Sequence, residues 1–481
     1  PADHGRAPAV DETFHLTVSP RVEEVIPSVP SVSGRRAADA ATSVYFELGP
    51  LGTGRLREAW DALQAGPMLM LTAPAPGTPR EDELDCTDPR WTREWARHGP
   101  DGRWCPGAAP GRYKIKTPWM ATAHALAFTR AEPADRAWVP QIGDEPPWAF
   151  TDYDARSPGA AAFRTAWDGL ANWYRLESQR RAAPVLCDAA YAWLYADAAD
   201  GAVWNPARSA ELIEGPWVPL VALLRLNRAI GLVAPPLPLD GARTEYRLMA
   251  AAIAHGMALR LPALDVADDR LWRWAFLFAA LHRRQALQTV ERIAWGTPGG
   301  SLCSPSAALA GEVYRHSRLY LRYRDGLEIW INGDTQRWTV AVGGDAVELP
   351  PDGWYASGPD LRAASTLVGG RRLDWVRAPE YAYHDGHGGS DLVDGLGTAE
   401  PVLVRVHERP SGRRVRLTFL RAASPVVLGP PFWPNDARAV RVAASDASGG
   451  SLAPPDPVRE GDLLRLRPPA AARDIEFEWT R

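Results

Sequence analysis

The hydrophobic pattern changes character once along the chain. Up to about residue 310, short apolar runs bounded by Pro and Gly are mixed with segments whose apolar positions recur every three to four residues. That mixture predicts buried strands together with amphipathic helices. PMLMLTAP reads as a buried strand, a short apolar run punctuated by prolines, and FHLTV and EEVIPSVP are strand-like pieces nearer the start. GRLREAWDALQAG predicts a helix with Leu56, Trp60 and Leu63 on one face and Gly66 as its stop. Between Ala160 and Arg181, the residues Phe163, Trp167, Leu170 and Tyr174 fall near one helical face, entered through Pro158-Gly159. Further helices are expected over about 216–231, 243–259 and 267–294, with a shorter one near 306–317. From Gly77 to Pro118 the composition is loop-like, dense in Asp, Pro, Gly and Trp; long insertions of this kind carry function or disorder.

From Arg318 the period becomes two. Leu327, Ile329 and Ile331 fall on one side and Glu328, Trp330 and Asn332 on the other, with Asp325-Gly326 and Gly343-Gly344 placed as hairpin turns. VLVRVHERP, RRVRLTFL, ARAVRVAAS, DLLRLRP and IEFEW continue with the spacing of a β-sandwich. The expected organisation is an α/β unit over 1–310, a β-sandwich over 318–400, and a further sandwich or small β domain over 401–481.

Composition narrows the partners. The net charge is −4 with no basic block, which argues against nucleic acid or an anionic membrane surface. No run approaches the apolar length of a membrane-spanning helix. Twenty-one tryptophans are unusual. Indoles either fill large cores or offer flat faces for stacking, and without a basic surface a sugar ring is the better ligand than a base. Cys86, Cys105, Cys187 and Cys303 match no zinc pattern; Cys86 and Cys105 bracket a loop-like stretch and are as compatible with a disulfide as with two free thiols. The chain begins at Pro1 with no apolar leader, so either a leader has been removed or this is a fragment.

The stretch from Trp138 to Gly201 carries the candidate chemistry. AWVPQI and APVL are short apolar runs, each followed by acidic and aromatic residues, with a helix of suitable length between them. Consecutive βα units of a barrel carry carboxylates to a cleft in this way. Asp188 is the candidate acid, at a strand end near Tyr191 and Trp193; the competing reading makes it a helix N-cap. An apolar surround would help it keep a proton. Asp144, with Asp152 behind it, is the candidate ionised partner, and both flank Trp148 as a sugar-stacking platform. Asp154 and Arg156 either line the cleft or form an ion pair in a turn, and Trp204 joins Tyr191 and Trp193 as a substrate-contact candidate. Cys187, with no His nearby in sequence, reads as a buried inert thiol. His384-Asp385-Gly386-His387 has a metal-like spacing, but its Gly-rich context reads as a surface turn. No organic cofactor and no metal is implied.

PPWAFTDYDARSPG, PVLCDAAYAWLYADAADG, YLRYRDGLEIWINGD, ELPPDGWYA and LDWVRAPEYAYHDGHG together resemble a group of large bacterial proteins regarded as glycoside hydrolases. The resemblance runs from about Trp138 to about Gly388. It implies a TIM (β/α)8-type barrel followed by β-sandwich domains. It also implies an extracellular or periplasmic enzyme acting on an oligosaccharide or polysaccharide, with carboxylates at the carboxyl ends of barrel strands. Two departures stand out. The family's Asp-Val-His motif places its aspartate where this chain has Pro140, although a one-residue slip would bring Asp144 or Glu145 into that role. Its Pro-Val-(Phe/Tyr)-Ser-Glu-Gly becomes Pro184-Val185-Leu186-Cys187-Asp188-Ala189, a carboxylate one methylene shorter. The expected function is glycosidic hydrolysis by paired carboxylates. The alternatives are an inactive glycan-binding descendant and a structural or surface-assembly protein.

Overall fold

The computed structural model describes residues 35–47, 68–72, 83–85, most of 93–125, 133–140, 163–188, 195, 198–204, 213–224, 231–236, 242–261, 269–409, 412–433 and 439–480. Seven short strands run parallel: β1 (Val44–Glu47), β2 (Met68–Thr72), β3 (Arg136–Trp138), β4 (Leu186–Asp188), β5 (Gly201–Val203), β6 (Gly231–Pro236) and β7 (Ala258–Leu261). Helix α1 (Arg35–Thr42) precedes β1 and α2 (Phe163–Arg180) links β3 to β4. α3 (Leu220–Leu224) and α4 (Ala242–His255) precede β6 and β7, and α5 (Asp269–Gln285) follows β7. Each strand pairs with its neighbours in sequence, and β7 pairs back onto β1. Between β3 and β4 the link is one parallel bridge, Trp138 to Val185, with the Trp138 N–H donating to Pro184 O at 2.8 Å. The pairings therefore run in a cycle.

Successive side chains of a strand point to opposite faces. On one face Tyr45, Leu71, Ala137, Leu186, Val203, Val233 and Ala258, one from each strand, meet in a single cluster with Ala40 of α1. On the other face Met70, Trp138, Cys187, Ala202, Leu232 and Leu259 join the helices in the largest core. Burial on both faces explains why these strands read as continuous apolar runs rather than alternating ones. α1 crosses the amino ends of β5 and β6. It is held there by the Tyr45 hydroxyl on Ala40 O and by His282 Nε2 of α5 on Ala41 O, both at 2.7 Å. The crossing requires glycine beneath it: a Cβ on Gly231 would lie 2.7 Å from Ala41 N and Cα.

The strand expected in PMLMLTAP is β2, with Leu69, Met70 and Leu71 buried. The helix expected over 160–181 is α2, which buries Leu170, Trp173 and Tyr174. Other boundaries differ. The helix expected over 243–259 stops at His255, because Gly256 turns the backbone left-handed (φ 65°), and ALRL is β7. The helix expected over 267–294 ends at Gln285, and VERIAWG (Val290–Gly296) is instead the first long strand of the antiparallel region, pairing with Arg318–Tyr323. Strand structure thus begins nearly thirty residues before the change of period at Arg318. Within 216–231 the helical turns are Leu220–Leu224, and Gly231 opens β6. The segment near 306–317 is a Ser304-capped helix, Pro305–Ala310, and a 3-10 turn, Val313–His316. The loop-like stretch 77–118 contains a ribbon, Glu83–Asp85 against Arg112–Lys114, with Lys114 Nζ buried 3.6 Å from Glu83. FHLTV, EEVIPSVP and GRLREAWDALQAG lie outside the described residues.

Both predicted hairpins form: Arg318–Tyr323 pairs with Glu328–Asn332 around Gly326 (φ 87°), and Trp338–Val342 with Asp345–Leu349 around Gly343-Gly344, both at positive φ. Leu319, Leu321, Ile329 and Ile331 extend the largest core, with the strand Glu328–Asn332 against α4. The opposite face is buried too, since Tyr320, Trp330, Trp338, Val340 and Leu349 form a second cluster. Asn332, on that opposite side, is fully buried and donates to Gln336 O, Leu349 O and Pro350 O. Further on, Val404, Val415, Leu417, Phe419 and Phe477 pack against Val426, Leu428 and Leu464 of a separate four-stranded sheet, giving a two-sheet sandwich.

The α1 crossing yields a stability prediction. Gly231→Ala should destabilise by about 2–3 kcal/mol, since the new methyl meets main chain on a second element. Gly300→Ala, at positive φ in open space, should cost about 1 kcal/mol. Denaturant midpoints followed by tryptophan fluorescence compare the two; equal losses would contradict the crossing.

Candidate functional site

The parallel strands end at Glu47, Thr72, Trp138, Asp188, Val203, Pro236 and Leu261. Ligands of parallel α/β folds bind at this end. Asp188 is half-buried and stands two residues beyond Leu186, whose side chain belongs to the cluster built by all seven strands. It therefore shares that inner face, level with Val203 of β5. Cys187, one residue earlier, points the other way into the large core, and burial pushes its thiol well above the ordinary range. It is an inert thiol, as expected. Cys105 is also a free thiol, so the bridge to Cys86 is not formed.

Trp204 follows Val203 and packs, half-buried, against the large core. Asp144, Asp152, Trp148, Asp154, Arg156, Tyr191 and Trp193 lie outside the described residues. Pro140, where the resembling family carries its aspartate, is buried.

β3, β4 and β5 are three residues long, and side chains near the amino ends of β4 and β5 hold them in place. Asp200 accepts from the Val185 N–H and from the Ser178 hydroxyl, each at 2.9 Å, tying β4 to α2. Beside it Glu177 lies buried against His124 (3.1 Å), Arg180 (2.8 Å) and Arg181 (3.0 Å). Burial alone would raise the Glu177 pKa, but His124 and the two guanidiniums outweigh it and bring the value to about 2. Burial in turn lowers His124. The Arg181 guanidinium stacks 3.7 Å over the Trp138 ring, at the β3–β4 bridge.

A second polar region lies where α4 and α5 meet the antiparallel sheet. A cavity of about 520 Å³ opens between the segments that follow β5 and β6 and the loops of the β region, with Glu214, Thr244, Arg247, Asp334 and Asp352 in its wall. Arg247 lies over Trp217 and donates to Ile213 O, Gly215 O, Gly333 O and Asp352, so it braces the wall. Further along α4, the Tyr246 hydroxyl donates to the fully buried Asp374 (2.7 Å), which also pairs with His387 Nε2 (2.8 Å). Asp385 accepts from the His387 N–H at 3.1 Å and lies 3.5 Å from Arg273. HDGH is a turn in its second half only, where His387 is exposed at positive φ. His384 and Asp385 are buried, and Gly386 is there for close packing, since a Cβ on it would strike Gly389 O.

Asp374, Asp385 and His387 are the group among the described residues whose atoms are spaced for a metal ion. The donor set does not call for one: Arg273 and Arg372, which stacks 3.6 Å over Tyr246, already bring positive charge to both carboxylates. The cluster ties α4 and α5 to the β region. Among the described residues no helix is long and apolar enough to cross a membrane.

No protein-family model matches the chain, and no curated protein matches it. Solved structures similar to it include α-L-fucosidase isoenzyme 2 from Paenibacillus thiaminolyticus, at 9% identity and a TM-score of 0.29, covering 92% of this chain and 94% of that one. A GH51 arabinofuranosidase from Xanthomonas axonopodis pv. citri matches at 11% identity and a TM-score of 0.22, over 93% and 97%. The family 51 α-L-arabinofuranosidase AbfB from Bifidobacterium longum matches at 10% identity and a TM-score of 0.23, over 95% and 98%. Scores this low assign no shared fold.

The Asp374–His387 pair has a defined pH signature. Burial opposes charge on both, but each charge stabilises the other, so Asp374 lies below and His387 above its ordinary value. The lowered Asp374 contributes fully above about pH 4, and the raised His387 contributes fully below about pH 6.5. His387→Asn should therefore cost about 1–2 kcal/mol between those limits. The loss should shrink as pH rises through the His387 value. Urea midpoints of both proteins across pH 4.5–9 test this; a difference independent of pH would refute the charged pair.

Proposed function

We propose that this is a carbohydrate-active protein that hydrolyses a glycosidic bond at the carboxyl mouth of a closed, seven-stranded parallel barrel. The barrel supports the β-rich region through α4 and α5. Seven strands laid flat would span roughly 28 Å, which would keep Ala137 of β3 and Leu186 of β4 from sharing one cluster. The shared cluster and the Trp138–Val185 bridge favour closure. The observation that carries the functional reading is Asp188, an acid at the last position of β4 on the inner face of that ring. Glycosidic cleavage needs one carboxyl group that protonates the leaving oxygen and one carboxylate that attacks C1 or activates water. Asp188, level with the apolar Val203, suits the first role. Asp144 and Asp152, in the connection after β3, are candidates for the second. We assign the domains accordingly, with the barrel within 1–310 and β-sandwich units over 318–400 and 401–481.

A screen on aryl glycosides and polysaccharides tests the reading, with Asp188→Asn as the control. Removing a general acid should lower kcat by about 10²–10⁴-fold. Activity untouched by the substitution would sink the assignment. Pro140, buried where the resembling family carries an aspartate, favours a second reading in which the mouth binds glycan without cleaving it. Retardation in polysaccharide gels with no hydrolysis would select that reading.

A further inference from the structure

We infer that the cavity of about 520 Å³ beside α4 is a binding site for a small saccharide. Such a site goes beyond the hydrolase reading, because holding a sugar there requires no cleavage at Asp188. Small-molecule sites span roughly 300–1,000 Å³, so the space suffices. Three parts of the chain build its wall: segment 213–216, the first turns of α4, and β-region loops carrying Ser317, 333–335 and Asp352. α4 leads from β6 into the parallel β7, so it runs back along the sheet. Its first turn therefore stands beyond the carboxyl ends of the strands, the side on which ligands of parallel α/β folds bind. The wall is closely built. A Cβ on Gly333 would strike the Trp217 ring and the Arg247 guanidinium. Ser317 and Asp352 hold left-handed backbone (φ 50° and 58°) without being glycine, and such positions cluster at ligand sites.

Hydrogen bonding sorts the wall into two sets. The cations are already engaged: Arg247 donates to Ile213 O, Gly215 O, Gly333 O and Asp352, and Arg315 pairs with Glu312 at 3.0 Å. Asp334 is likewise held, 3.1 Å from Arg318 and 3.0 Å from His316. The second set is open. Among the described residues, neither Glu214 nor Thr244 has a side-chain hydrogen bond or ion pair. Ser317 is 1% exposed; its hydroxyl accepts from the Trp217 N–H at 3.0 Å, and its own proton has no acceptor among the described residues. A buried hydroxyl proton without an acceptor is costly, and the cavity is where one can be supplied. The occupant thus donates to Glu214, accepts from Ser317, and does either with Thr244. Sugar hydroxyls combine both roles. An anion would meet the Glu214 charge while the wall's cations are engaged elsewhere. Nor does a metal ion suit, since among the described residues the donors spaced for one lie at Asp374.

Calorimetric titration of the full chain with methyl glucoside, methyl galactoside, methyl xyloside, cellobiose and lactose tests the site. The parent is compared with Glu214→Ala, Thr244→Val and Asp188→Asn. At least one sugar should bind the parent and Asp188→Asn equally, and Glu214→Ala and Thr244→Val should each weaken it about tenfold. Glu214 is exposed, so its variant keeps the fold and decides the matter should Thr244→Val fail to fold. Unchanged affinity in Glu214→Ala, or no binding by any of the sugars, would overturn the site. So would binding weakened by Asp188→Asn alone, which puts the sugar at the strand ends and leaves the hydrolase reading standing. Inorganic phosphate that binds the parent and is lost in Thr244→Val would make the cavity an anion site instead. If a sugar binds the cavity while the parent cleaves no glycoside, this site holds and the hydrolase reading fails.

Discussion

The parallel strands depend on the place where β3 and β4 meet. Strands of three residues make too few ladder hydrogen bonds to hold their own register, and between these two there is one bridge. What fixes it is charge at its amino end. The Asp200 carboxylate takes the Val185 N–H that the short ladder leaves over, and the Arg181 guanidinium covers Trp138 from the other side. Glu177 neutralises that guanidinium within the core, and the hydrogen bonds it receives keep it ionised despite burial. Ionic groups at the foot of β4 thus fix how it meets the carboxyl end of β3.

The consequence for chemistry is a matter of parity. Because a strand alternates with period two, a slip of one residue at the bridge would exchange Cys187 and Asp188 between the core and the inner face. Leu186 lies in the inner cluster and Cys187 in the outer core, so the carboxylate falls on the side of the cluster to which all seven strands contribute. A short strand with a firmly held foot is enough to aim a side chain at its tip.

Much of this architecture was legible in the residues. β2, α2 and the two glycine hairpins carry strong local signals, an apolar run between prolines, a 3.6 period and paired glycines, and each formed where expected. The boundaries of α4 and α5 were not legible, because ALRL and VERIAWG extend the apolar pattern of the preceding helix and hide the break. The Asp374 cluster was hidden for another reason. RRLDWVR and AYHDGHG look like ordinary charged strand and turn, and only cross-strand pairing sets Asp374 beside Asp385 and under Tyr246 of a distant helix.

The tryptophans bear on function less than their number suggested. Trp173, Trp217, Trp274, Trp295, Trp354 and Trp479 are among the largest fully buried side chains, and each serves packing. Trp274 also donates to buried Glu245, and Trp217 underlies the Arg247 brace, so indoles hold α4 and α5 against the β region. Trp119, 41% exposed and stacked on Trp95, is the exposed indole among the described residues. Abundant tryptophan is therefore chiefly the means by which a parallel sheet, two helices and an antiparallel sheet share one continuous core. The case for a sugar substrate passes from the indoles to Asp188, and there it depends on which side chains the short parallel strands turn toward their shared cluster.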